Sequence, residues 1–100
     1  MRVPWEDTEE QIMDFETLCA TAQFIDSHLA QGHRVLVHCA AGISRSVSII
    51  LFYMTHMPGG KWKTAKRALR HIQKVRPIAG PNKGFISQLK KYQKRTCPLF

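Results

Sequence analysis

The sequence has no apolar run long enough to cross a bilayer. Its longest, Val35–Val37 and Ile49–Met54, fall far short of the ~20 residues a spanning helix needs. The N-terminus lacks the basic, apolar and small-residue order of a secretory signal. Cysteine is scarce, with three residues widely spaced. An odd, dispersed set argues against a disulfide framework and for a reducing compartment, cytosol or nucleus. Cys19 is expected to be a packing residue within a helix, and Cys97 an exposed, incidental residue of the tail. His28, His33, His56 and His71 stand in no HExxH or CxxC-type spacing, so neither a metal site nor a cofactor is expected. There is no internal repeat and no low-complexity tract, which removes solenoid architectures.

What is present fits one small domain. A chain of 100 residues leaves no room for a second core. Its 44% apolar and 22% charged residues are ordinary for a globular protein. The formal charge of +8 is more informative. Basic residues dominate the second half, from Lys61, Lys63, Lys66, Arg67 and Arg70 to Lys90, Lys91, Lys94 and Arg95, whereas the acids sit almost entirely before Asp26. Such a field favours anionic partners, whether phosphoproteins, nucleic acid or acidic lipid, without choosing among them.

Along the chain, Arg2–Trp5 reads as extended, because Pro4 biases the residue before it away from helix. Thr8 with Gln11 reads as a capping box. Behind it, Ile12, Phe15, Leu18, Ala22, Ile25 and Leu29 have helical spacing, and Gly32 is a natural stop. Arg34–His38 is short and rich in valine, the signature of a buried strand. A second helix is predicted from Arg45 through Tyr53, ended by Pro58-Gly59-Gly60. A third spans Lys61–Val75 with Trp62, Ala65, Leu69 and Ile72 inward, and a fourth runs from Asn82 to about Lys94. Two strands make a poor sheet, since isolated pairs are marginal in water.

The segment from Val37 to Ser46 carries the chemistry. It reads strand, six-residue loop, helix, with Cys39 at the strand's end. In Cys39-Ala40-Ala41-Gly42-Ile43-Ser44-Arg45 the backbone N–H groups can turn inward above a helix N-terminus, a concavity suited to a tetrahedral dianion. Gly42 supplies the backbone freedom such a curl needs. Arg45, first on the helix, can return its guanidinium to two phosphate oxygens in a bidentate geometry that lysine does not offer. The same amides and charge favour thiolate over thiol at Cys39. A thiolate nucleophile divides phosphate-ester hydrolysis into two easier displacements, and the Ser46 hydroxyl can assist the sulfur as leaving group in the second.

The run His38-Cys39-Ala40-Ala41-Gly42-Ile43-Ser44-Arg45-Ser46 resembles the HCxxGxxRS loop of the protein tyrosine phosphatase superfamily, and its ending is closest to the dual-specificity branch. Arg76-Pro77, Pro81-Asn82-Lys83-Gly84-Phe85, Gln88-Leu89 and Tyr92 resemble that branch's C-terminal pattern. Arg2–Leu29 is similar to its acid loop and following helix. The resemblance implies an α/β domain of the tyrosine-phosphatase-like fold, a central sheet flanked by helices. Residues 1–100 would form the C-terminal portion of a dual-specificity phosphatase catalytic domain. The chain begins almost at the acid loop, so the N-terminal layer is expected to be cut away, dispensable or supplied by a partner.

The resemblance also assigns roles. Cys39 is the nucleophile and Arg45 the phosphate clamp, with the loop His38 to Arg45 holding the phosphate. Asp7 corresponds to the acid that protonates the leaving oxygen, with Glu6 next in line; from the residues alone, Asp7 also reads as an N-terminal helix acid. His38 resembles the histidine that orients the nucleophile's loop, and Asn82 the asparagine that braces it, although Asn82 reads equally as a helix N-cap. Phosphotyrosine and phosphoserine/threonine proteins are the implied substrates, cytoplasmic or nuclear, with no membrane span and no set oligomeric state. Two alternatives stand beside this one. A phosphatase acting on RNA ends or another non-protein substrate fits the charge, although no aromatic–basic interleaving supports nucleic acid. A phospho-binding module without turnover is the other.

Overall fold

The computed structural model describes residues 1–40, 43–57 and 61–98, in which four helices follow one another: α1 (Phe15–Ala30), α2 (Arg45–His56), α3 (Ala65–Val75) and α4 (Lys83–Tyr92). Helix α2 is central and packs against the other three. Its sequence explains why. Val47, Leu51 and Phe52 are buried, and Ile49, Tyr53 and Met54 are half-buried around them, so the helix is apolar on most of its circumference and needs neighbours on several sides. Leu18 and Ala22 of α1 and Phe85 and Leu89 of α4 close the core, while Ala65 and Ala68 let α3 approach α2 closely. Each large side chain here contributes roughly 1.5–3 kcal/mol through burial. No helix among the described residues is long and apolar enough to cross a membrane.

The start of α1 differs from expectation. Thr8 Oγ1 does accept the Gln11 N–H, and Gln11 Oε1 accepts the N–H of Glu6. These bonds close a turn at residues 7–10 and do not open a helix. The helix begins at Phe15, where the Asp14 carboxylate accepts the Thr17 N–H. Ile12 is consequently outside the helix and 66% exposed, whereas Met13 is fully buried. The Thr17 hydroxyl holds the Asp14 carboxyl below its ordinary value. Its folded form is the stronger acid, so this cap is present above about pH 4 and lost as the pH falls through that range. Helix α3 likewise starts later than Lys61, at Ala65, with Thr64 as its cap. The predicted stop at Pro58–Gly60 lies outside the described residues.

The expected central sheet is not formed: no strand pairing exists among the described residues, at Arg2–Trp5 or at Arg34–His38. The second segment still alternates as a strand would, with Val35 and Val37 half-buried and Arg34, Leu36 and His38 exposed. Val35 and Val37 line a cavity together with Thr21, Phe24 and Ile25 of α1. A ladder needs a neighbouring strand, and the two extended segments do not pair with each other.

The cysteines correct a second expectation. Cys97 is not an exposed tail residue; it is 1% exposed and joined by a disulfide to Cys19 of α1, with the Cα atoms 5.6 Å apart. The tail after α4 turns back over α1, where the Arg95 guanidinium lies 4.1 Å from the centroid of the Phe15 ring and the Phe15 and Tyr92 rings meet edge-on. A crosslink spanning 78 positions stabilises by roughly 2–4 kcal/mol. With two cysteines paired, the number of cysteines does not by itself speak to the compartment; Cys39 takes no part in this disulfide.

Helix α3 stands out electrostatically. Lys66 and Arg67 occupy its first turn without any acid. Cations there oppose the helix dipole at about 0.3–1 kcal/mol each, and the Lys66–Arg70 and Arg70–Lys74 spacings place like charges at i,i+4, costing about 0.2–0.5 kcal/mol per pair. The helix is held by its packing on α2, by the Thr64 cap and by Gln93, whose Oε1 accepts the Ala65 N–H at 3.1 Å.

Candidate active site

Cys39 ends the extended segment and faces the first turn of α2. Its Sγ is 3.4 Å from Ser46 Oγ and accepts the Ser46 backbone N–H at 3.5 Å. The sulfur thus sits at a helix N-terminus, where an N–H and a hydroxyl converge on it. The N–H stabilises negative charge on sulfur, and the hydroxyl, whose oxygen accepts from the thiol, can donate to the thiolate in turn. Ser46 is 4% exposed, so its hydroxyl is screened from competing water.

The loop between Cys39 and Arg45 is gripped from outside. Gly80 N–H donates to Ile43 O at 3.0 Å, and Asn82 N–H donates to Ser44 Oγ at 2.9 Å. Ser48 Oγ donates to Ser44 O at 2.7 Å. Gln73 Nε2 in turn holds Ala79 O at 2.8 Å. The turn between α3 and α4 therefore fixes the second half of the loop. Ala40 is exposed; Ala41 and Gly42 lie outside the described residues.

Arg45 has two kinds of nitrogen. Its Nη1 donates to Trp5 O at 3.1 Å, tying the N-terminal segment to α2. Its Nε is buried and has no hydrogen-bond partner among the described residues. A buried donor left alone costs about 1–3 kcal/mol, which an incoming oxyanion would relieve. Arg45, Cys39 and Ser46 line one cavity of about 650 Å³, whose wall continues over Trp5, Ile25 and Val37.

Asp7, two residues beyond Trp5, is exposed, and its Oδ1 accepts Asn82 Nδ2 at 2.9 Å. Asn82 is also the N-cap of α4, its Oδ1 accepting the Phe85 N–H at 2.9 Å. The side chain thus caps the helix and bonds the acidic segment, while the backbone N–H of the same residue contacts Ser44. Glu6 is exposed and uses its backbone N–H on Gln11. His38 is exposed and makes no hydrogen bond among the described residues, because the alternation of its segment turns it outward.

Comparison with protein families matches residues 1–95 to "Dual specificity phosphatase, catalytic domain". The chain belongs to the dual-specificity phosphatase family. Among curated proteins it is similar to Protein phosphatase Slingshot homolog 3 of Mus musculus, 42% identical over 89 residues, which cover 89% of this chain and 13% of the relative. It is also similar to Dual specificity protein phosphatase 1 of Arabidopsis thaliana, 46% identical over 71 residues, covering 71% of this chain and 34% of the relative. Among solved structures, that of DUSP15 superposes with a TM-score of 0.87 at 32% identity, covering 99% of this chain and 61% of the other. The chain thus spans 13% and 34% of these two curated relatives and 61% of the DUSP15 chain.

Three contributors to this dual-specificity phosphatase site had no role assigned from sequence. Trp5, 9% exposed, supplies the carbonyl that holds Arg45; a bulky aromatic in an otherwise charged segment was the available signal. Gln88 accepts the Met13 N–H at 2.6 Å and donates to Gln11 O at 2.9 Å, clamping the acidic segment onto α4. Gly84 is the third. A Cβ there would lie 2.8 Å from both Glu9 C and Glu9 Cα, so only glycine lets the turn after Asp7 rest on α4. Helix propensity alone would make Gly84→Ala stabilising by about 1 kcal/mol. The contact reverses the sign: overpacking is expected to cost about 1–3 kcal/mol and to lower activity by displacing Asp7. Urea denaturation checks this, and a raised midpoint would mean the approach is not close.

Proposed function

We propose that the chain hydrolyses phosphate monoesters on phosphoproteins, phosphotyrosine and phosphoserine/threonine, through a cysteinyl-phosphate intermediate. The observation that carries this reading is the buried, unpartnered Arg45 Nε in the cavity it shares with Cys39. A donor in that state suits an anionic ligand beside the nucleophile.

In the first displacement the Cys39 thiolate attacks phosphorus as the P–O ester bond breaks, and Asp7 delivers its proton to the departing oxygen. Arg45 and the loop amides balance the charge on the equatorial oxygens. In the second, water attacks the cysteinyl-phosphate and gives a proton to the Asp7 carboxylate, by microscopic reversibility. The P–S bond breaks, inorganic phosphate leaves and the thiolate returns, its developing charge met by the Ser46 hydroxyl. Every step uses side chains of this chain, and no metal enters.

Phosphate release from phosphotyrosyl and phosphoseryl peptides tests the proposal. Turnover is expected to persist in chelator and to be lost on peroxide treatment, then regained with a thiol as a cysteine sulfenic acid is reduced. Loss with chelator, restored by a divalent ion, would place the chain in a different class of phosphatase.

A further inference from the structure

All seven acids stand at or before Asp26, and fourteen of the fifteen Lys and Arg residues follow it. The charge is most ordered on α3, where Lys66, Arg67, Arg70 and Lys74 are all exposed. At the helical advance per residue these positions fall within one arc of about 100°. The opposite arc holds buried Ala65 and Ala68 with half-buried Leu69 and Ile72. None of the four basic side chains makes a hydrogen bond, ion pair or ring contact among the described residues. Cations at a helix N-terminus and like charges one turn apart both work against the helix. No acid in the latter three-quarters of the chain offsets them, so the stripe is presented to an anion from outside.

Its position says which anion. The end of α3 is fastened to the rim of the phosphate loop through Gln73 to Ala79 O at 2.8 Å and Gly80 to Ile43 O at 3.0 Å. Lys74 precedes Gly80 by six residues, so it lies within about 21 Å of that contact. Val75 and Ile78, 88% and 63% exposed, fill the interval. A peptide whose phosphorylated residue occupies the loop reaches the stripe with roughly six extended residues.

We infer that the Lys66–Arg67–Arg70–Lys74 face of α3 docks an acidic segment of the substrate protein, flanking its phosphorylated residue. This rests on the phosphatase reading above and adds the substrate's chemistry beyond the phosphate. Two phosphotyrosyl peptides differing only in a flanking run, four glutamates against four glutamines, test it by fluorescence anisotropy in a Cys39→Ser background. The glutamate peptide is expected to bind roughly tenfold tighter at low ionic strength, as three exposed ion pairs would give, and the advantage to shrink with salt. K66Q/R70Q/K74Q should erase the preference, and R70Q alone should reduce it. With Cys39 intact, the triple variant should turn over p-nitrophenyl phosphate at the unchanged rate, which also reports that it is folded.

Equal binding of the two peptides by the parent chain overturns the inference, as does a preference that survives the triple variant. So does binding of phosphatidylserine vesicles or single-stranded RNA that the triple variant loses while the peptides bind alike, since the stripe then serves another class of partner. Absence of p-nitrophenyl phosphate turnover in the parent chain sinks the phosphatase reading instead, and the peptide comparison still decides the stripe.

Discussion

Cys39→Ser is expected to lower turnover by on the order of 10⁵-fold or more, the scale seen when the nucleophile of a catalytic unit is removed, while binding of a phosphopeptide is kept. A serine hydroxyl at a helix N-terminus is nearly isosteric with the thiol but is not ionised at neutral pH, and it attacks well only when a general base activates it. The groups around the sulfur include the Ser46 N–H, which donates to it, and the Ser46 hydroxyl, whose oxygen accepts from the thiol and which can donate to a thiolate. Binding draws on other parts. Arg45 keeps its buried Nε, and the loop keeps its bonds from Gly80 and Asn82. Burst-phase kinetics and titration with a phosphopeptide separate the two effects. Residual turnover within about a hundredfold of the parent would remove the covalent route, because a missing nucleophile costs far more than that. Loss of binding in step with turnover would instead mean that the substitution had disturbed the loop.

The residues that carry this prediction were legible in the sequence because their chemistry is local. Cys39, Arg45 and Ser46 lie on the end of one extended segment, a short loop and a helix start, and their closeness in sequence brings them to one cavity. The helices were legible too, since α2 and α4 have apolar positions at helical period. What escaped depends on distant segments. The Thr8–Gln11 pattern forms its hydrogen bonds yet opens no helix, because Met13 is drawn onto Gln88 of α4 and the chain must turn first. Cys97 reads as a tail residue until the tail is seen to cross α1. The sheet failed for a related reason. The Arg34–His38 segment keeps the alternation of a strand, but alternation specifies a face and cannot supply the partner whose N–H and C=O groups make a ladder. Asn82 was undecided between two roles for good physical reason, as its side chain caps α4 and bonds Asp7 while its backbone N–H reaches the loop at Ser44.

Asp7→Asn is expected to separate leaving groups. A general acid matters in proportion to the charge that builds on the departing oxygen, so the loss should be on the order of 10²–10⁴ on a phosphoseryl peptide, smaller on phosphotyrosine and least on p-nitrophenyl phosphate. The variant is a clean probe because of Asn82. That amide donates to Asp7 Oδ1 at 2.9 Å, and an asparagine at position 7 still offers a carbonyl oxygen there, so the loop's tether is retained and only the proton is taken away. The Trp5–Arg45 bond that holds the segment uses backbone and is untouched. A penalty that is the same for every leaving group would mean Asp7 acts only through its bond to Asn82. Glu6, exposed on the same segment, would then be the acid to replace next, with the same three substrates as the measure.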